Sequence, residues 1–202
     1  MKDLVVLVAD KNMEFLVQGL LPRIPVVEKT RKFTFDIFVH PYRDAGIFNT
    51  AHDILRPLSK NYSYSVVMLD FQGCGKENTS REKVEQQLEN LCAQNGWKNR
   101  SCAISIDPEL ENWIWVTEAR LSDAISWDKT IGLHDWLQIN DWKKPENNKP
   151  IYPKEALEAA LKECRTPRSS SIYREISSKA SYKNCTDNAF LKLLNQIIVW
   201  FK

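Results

Sequence analysis

Leu4-Val5-Val6-Leu7-Val8-Ala9-Asp10-Lys11 is the stretch whose reading decides the fold. The aliphatic, partly β-branched run from Leu4 to Ala9 lacks the polar alternation of a half-exposed strand, so it reads as a strand covered on both faces. It breaks at Asp10-Lys11-Asn12. Working outward, Phe33 to Val39 reads as a second strand ending at His40-Pro41. Ser65 to Leu69 reads as a third, ending in Asp70-Phe71-Gln72-Gly73-Cys74-Gly75, and Cys102 to Ile106 as a fourth, ending in Asp107-Pro108-Glu109-Leu110-Glu111.

Helical patterns fill the gaps. Met13 to Leu21 is helical with Asn12 as the expected N-cap, and Pro22 and Pro25 close it. A second helical stretch covers Ala51 to Leu58. Ser80 to Asn95 is amphipathic, with Thr79 or Ser80 as cap and Gly96 past its end. Strand alternating with helix implies right-handed crossovers and a mostly parallel central sheet flanked by helices, an α/β fold. Beyond it, Asn112 to Val116, Lys154 to Cys164 (Pro153 in the first turn), Tyr173 to Lys179 and Ala189 to Phe201 read as helices. Residues 117–150 read as irregular, with a loop at Asn147-Asn148-Lys149-Pro150. No repeat or linker divides the chain. A single domain is expected, with an α/β core over about 1–116 and an irregular, helical extension over about 117–202.

The 202 residues suffice for one sizeable core. At 43% hydrophobic and 27% charged, the composition is that of an ordinary globular chain. A net charge of +2 does not by itself call for a nucleic-acid or membrane partner. The five cysteines (74, 92, 102, 164 and 185) form no CxxC pair and no zinc-finger spacing with histidine, which fits free thiols in a cytoplasmic protein. The apolar run at the start is too short for a secretory leader, and no stretch is long enough for a membrane span.

In an open parallel sheet, ligands bind beyond the carboxyl ends of the strands. Three of the four strand ends carry acids there: Asp10, Asp70, and Asp107 with Glu109 and Glu111. Held together, these carboxylates repel unless something neutralises them. Such hard oxygen ligands suit Mg²⁺ or Mn²⁺. The alternative is local: acids and amides follow strands because they make turns and cap helices.

Other motifs carry less. Gly73-Cys74-Gly75-Lys76 is not a phosphate loop, because that pattern needs glycine at Asp70 and Ser or Thr at Glu77. His40, His52 and His134 lie in no nucleophile motif, although His40 stands beside a strand end. The tryptophans read as core anchors, with Trp127, Trp136 and Trp142 able to face a partner. Arg165-Thr166-Pro167-Arg168-Ser169-Ser170-Ser171, with Lys154 and Arg174 nearby, is the best basic patch for phosphates; a solvated connector is the alternative.

These acids resemble those of a TOPRIM domain, the metal-binding fold of topoisomerases, primases and overcoming-lysogenisation nucleases. The chain is more closely similar to a TOPRIM-like family of bacterial proteins encoded beside ATPases in phage-defence loci, including a component of methylation-associated defence systems. The shared features are the strand-end acid and glycine turn of Asp70 to Gly75, Glu111-Asn112-Trp113, Pro153-Lys154-Glu155-Ala156-Leu157 and the tail Cys185 to Leu191. The resemblance implies a metal-dependent, nuclease-like effector in which Asp10, Asp70 and Glu111 are catalytic. Asp107 and Glu109 would join them as metal ligands, and Lys154 and Arg168 would hold phosphate. It also implies nucleic acid and a companion ATPase as partners. Two departures stand out: Ala9 or Asp10 takes the place of the family's first-strand Glu, and Gln72 replaces the second acid of its DxD pair. They open a second reading, an interaction subunit that keeps the fold and docks on the ATPase.

Overall fold

The computed structural model describes residues 1–115, 118–142, 149–183 and 185–202. Val116 and the Asn147-Asn148 part of the expected loop lie outside these residues. Strands β1 (Lys2–Val8), β2 (Phe35–Val39), β3 (Tyr62–Asp70) and β4 (Ser101–Ile106) form one all-parallel sheet in the order β2-β1-β3-β4. Leu4 to Ala9 and Val66 to Leu69 are each at most 1% exposed, so the uniform apolar runs reflect cover on both faces. Alternate residues Leu4, Val6, Val66 and Met68 meet Val17, Leu193 and Ile197 on one face.

Helix α1 (Lys11–Leu20) follows β1, and its N-cap is Asp10, not the expected Asn12. The helix begins immediately after the strand, so the first acid is the one placed to accept from the Met13 N–H, at 2.9 Å. Asn12 instead accepts from the Ser170 hydroxyl at 2.8 Å. A single turn, α2 (Ile24–Val27), precedes β2. Helix α3 (Arg43–Leu55) starts eight residues before the expected Ala51, and Arg56–Lys60 is a tighter turn rather than its continuation. Its buried stripe, Ile47, Ala51 and Leu55, has helical spacing, but the polar start and Gly46 obscure it in sequence. Gly46 is required by close approach: a Cβ there would stand 2.4 Å from the His40 ring.

Helix α4 (Arg81–Cys92) carries the expected Ser80 cap and packs on β4, ending in a wider turn at Ala93–Trp97. One turn, α5 (Glu111–Ile114), follows β4. The region read as irregular contains α6 (Glu118–Ile125) and α7 (Leu133–Ile139). Each buries only one i,i+4 pair, Leu121 with Ile125 and Leu133 with Leu137, too little periodicity to stand out among polar neighbours. Helices α8 (Pro153–Glu163), α9 (Ser170–Lys179) and α10 (Asn188–Phe201) complete the chain. Ser169 and Asp187 cap α9 and α10, so α9 begins three residues before the expected Tyr173 and α10 one before Ala189.

These last helices belong to the main body. Helix α9 lies along α1, and α10 packs on β4. Phe201 is fully buried and stacks on Phe33 with ring centroids 4.2 Å apart. One cluster of buried side chains therefore runs from Leu4 to Phe201. Among the described residues, no helix is long and apolar enough to cross a membrane.

Candidate functional site

From β1 the chain passes to β2 on one side and then to β3 on the other, so the connections diverge between β1 and β3. A crevice beyond the carboxyl ends of two such strands is where open parallel sheets bind ligands. Asp10 stands at the end of β1 and Asp70 is the last residue of β3. A third acid comes from α3: the Oδ1 atom of Asp44 accepts from the Asp70 backbone N–H at 2.8 Å. Asp70 in turn accepts at Oδ1 from the Leu110 N–H at 2.8 Å, which draws the β4–α5 loop over the end of β3.

The electrostatics follow from that placement. Burial is the largest influence on Asp70, and the carboxylates of Asp44, Glu111 and Asp10 add to it, pushing its carboxyl well above the usual range. Burial also raises Asp44, with a smaller contribution from Asp10. Asp70 keeps part of its surface open to solvent. The hydrogen bonds that Asp10 and Asp70 accept reach Oδ1, leaving each Oδ2 without a hydrogen-bond partner among the described residues.

Glu111 is near enough to act on Asp70 but is already engaged. It is 3% exposed, accepts from the Tyr173 hydroxyl at 2.5 Å and pairs with Arg168 at 3.0 Å. Burial and the Glu111 carboxylate push the Tyr173 phenol far up, so it remains a donor. Arg168 also pairs with Glu158 of α8. The guanidinium expected to hold phosphate is thus spent on two acids of its own chain. Lys154, the other expected phosphate contact, has no ion-pair partner among the described residues, and its backbone N–H donates to Glu109 at 3.1 Å.

Glu109 therefore acts as a cap for the start of α8. Asp107 is exposed, and its carboxylate makes no hydrogen bond among the described residues. Of the five expected ligands, Asp10 and Asp70 stand at the ends of β1 and β3 and the charges of Glu111 and Asp10 act on Asp70, whereas Glu109 accepts from the start of α8 and Asp107 is exposed. Among the described residues, no three His, Cys, Asp or Glu side chains stand at spacing ready to hold a metal ion. The cluster is one of charge and of free carboxylate oxygens, not a preformed coordination sphere.

Glu109 makes a pH prediction. Burial first, then the Glu111 carboxylate, raise it to about 7. Unfolded, a glutamate titrates near 4.3. Between these values the folded chain holds a proton that the unfolded chain has released, so the contribution of Glu109 to stability is greatest below about 4.3, falls as pH rises and levels off above about 7. Glu109→Gln keeps the oxygen that accepts from Lys154. Melting temperatures across this range are expected to fall less steeply for Glu109→Gln than for the native chain; parallel curves would contradict the assignment.

His40 is structural. Its Nδ1 accepts from the Tyr42 N–H at 3.0 Å, while Nε2 lies 2.9 Å from Thr50 Oγ1, whose own proton goes to the Gly46 carbonyl. Nε2 therefore carries the hydrogen, and burial lowers the pKa, so the ring is neutral. A concavity of about 440 Å³ opens beside it, bordered by Asp10, Lys11, Asn12 and Arg43. In the loop after β3, Glu77 accepts from the backbone N–H groups of Gly73 and Gly75 at 2.6 and 3.2 Å; its own backbone N–H first, then these two, hold its carboxyl below the usual range. Sequence reasoning missed Asp44 and Tyr173. Asp44 had one signal, its position four residues beyond His40 at the second strand end.

The sheet order and this edge define an open, all-parallel α/β protein with an acid-lined switch point. No family model, no curated protein and no solved structure matches the chain.

Proposed function

We propose that this chain is a divalent-cation-dependent, phosphodiester-cleaving effector of TOPRIM type, acting in bacterial anti-phage defence. The observation that carries the chemistry is the placement of Asp10, Asp44 and Asp70 at the switch point of the sheet, with Asp70 driven toward its neutral form first by burial and then by the charges of Asp44, Glu111 and Asp10. An all-oxygen donor set of this kind suits Mg²⁺ or Mn²⁺. Asp70 and Asp10 are the ligands, each with an uncommitted Oδ2, and Asp44 positions Asp70 by holding its backbone N–H. A cation held by these two residues would supply an acidified water and stabilise charge on a phosphoryl oxygen. Lys154, at the start of α8 and without an ion-pair partner among the described residues, is the cation for the substrate phosphate, whereas Arg168 and Tyr173 hold Glu111. The place in phage defence rests on the sequence resemblance.

A second reading has its own support. Glu111 is paired with Arg168 and accepts from the Tyr173 hydroxyl, and Ala9 and Gln72 stand where the resembled family carries acids. Both features suit a subunit that retains the fold and docks on a companion ATPase. The discriminating experiment is cleavage of labelled plasmid and single-stranded DNA with Mn²⁺ or Mg²⁺, comparing the native chain with Asp70→Asn. Cleavage reduced at least ~100-fold by the substitution supports the enzyme, since even outer-shell partners of a metal cost up to that much. No cleavage by the native chain, with the ATPase present, favours the docking subunit.

A further inference from the structure

A second concavity, of about 680 Å³, lies away from the switch point, where Trp136 of α7 and Trp142 face the last turn of α8. Its size is that of a small-ligand site. Two features separate its walls from ordinary surface. Trp97, Trp113, Trp115 and Trp127 all donate their indole N–H into the protein. Trp136 and Trp142 are half-buried, and neither indole N–H has an acceptor among the described residues; Trp200 shares that property, but its ring is stacked on Tyr64 at 4.6 Å and does not line this cleft. Trp136 is nonetheless held in place, edge to face with Trp127 at 5.3 Å.

The second feature is charge. Lys129 pairs with Glu163 at 3.5 Å, while Lys162 and Arg165, both exposed, and the acid Asp128 have no ion-pair partner among the described residues, which leaves the lining with one net positive charge. Asn140 adds a side-chain amide whose nitrogen is committed to the Trp136 carbonyl at 2.8 Å, leaving its oxygen to accept. Anchored aromatic faces beside unpaired cations are the combination that binds unpaired bases and their phosphates.

We infer that this cleft binds single-stranded nucleic acid, with a base stacked on Trp136 or Trp142 and the adjoining phosphates on Lys162 and Arg165. A duplex hides its base faces and offers only phosphates, so it can satisfy the cations but not the rings. Helix α8 joins the two sites: Lys154 opens it beside the acids and Lys162 stands eight residues on, roughly 12 Å along the axis. A strand lying along α8 would reach both. That last step rests on the proposed function; binding at the cleft does not.

The test is fluorescence anisotropy of a labelled oligothymidylate of about 12 nucleotides, within the span of known single-strand sites, with the whole chain in EDTA. Saturable binding with quenching of tryptophan emission is expected. Trp142→Ala and Trp136→Ala should each weaken it about 5- to 100-fold. Lys162→Glu with Arg165→Glu should weaken it and flatten its salt dependence, by about 0.7 in log–log slope for each phosphate no longer neutralised. Both cations are exposed and have no ion-pair partner among the described residues, so that variant is expected to melt within a few degrees of the native chain, the difference being the acids placed at the end of α8, and it guards against a folding defect in the tryptophan variants. Absent binding, affinity unchanged by the substitutions, or equal affinity for a duplex or a mononucleotide overturns the inference. Binding without cleavage leaves the cleft standing and removes the enzyme; cleavage without binding does the reverse.

Discussion

Asp70→Asn is expected to raise the melting temperature at neutral pH by several degrees and to abolish the further rise that Mg²⁺ or Mn²⁺ gives the native chain. The first effect follows from the carboxyl's surroundings. Burial, then the negative charges of Asp44, Glu111 and Asp10, hold Asp70 well above its ordinary value. An unfolded aspartate ionises near 3.9, so above that pH folding must either keep a proton on Asp70 or tolerate an ionised, crowded carboxylate. Its contribution is therefore favourable only below about 3.9, and the cost grows as pH rises. Asparagine has the shape of the protonated acid and keeps the oxygen that accepts from Leu110.

Relieving a site of this kind commonly returns about 0.5–2 kcal/mol, and 1 kcal/mol moves the melting temperature of a chain this size by about 2–4 °C. A cation at 100 times its dissociation constant adds about 2.7 kcal/mol to the native chain, and little where the ligand is gone. Thermal melts with and without metal separate the two effects. A fall in stability for Asp70→Asn would contradict the crowding of charge. A native chain indifferent to both metals would remove the cation from the site.

Arg168→Ala carries the largest expected loss, about 2–4 kcal/mol, or roughly 5–15 °C in melting temperature. Glu111 has only 4% of its side chain exposed, so its charge depends on Arg168 and the Tyr173 hydroxyl. Removing one partner of a buried pair strands the other, costing about 3–5 kcal/mol in fully buried cases. Arg168 is 34% exposed, and water entering the space it leaves lowers the figure. Replacing both, as Arg168→Met with Glu111→Leu, should recover most of the loss, because no charge is then left unpaired. If Arg168→Ala melts within a degree or so of the native chain, the pair is a surface contact worth about 0–1 kcal/mol.

Each of these effects depends on partners far apart in the chain. Asp44 and Asp70 are separated by 26 residues, Arg168 and Glu111 by 57, and Tyr173 and Glu111 by 62. What is local was legible. The strand cores Leu4 to Ala9 and Ser65 to Leu69, the Ser80 cap and Pro153 in the first turn of α8 could be read from near neighbours, because burial on both faces and capping leave marks within a few residues. The weakly periodic helices α6 and α7 left almost none.

By itself, then, the sequence determined a parallel α/β fold and placed acids at the ends of its strands. It could not determine which acids share a site. Sequence reasoning grouped Asp107 and Glu109 with Asp70 because they follow a strand, yet the chain turns Asp107 to solvent and Glu109 to the start of α8. It assigned Arg168 to phosphate, yet packing α9 against α1 and closing the chain beside α8 delivers that side chain to Glu111 and Glu158. Only tertiary packing settles such assignments, because a buried carboxylate takes whichever donor the fold brings within about 3 Å, however distant in the chain.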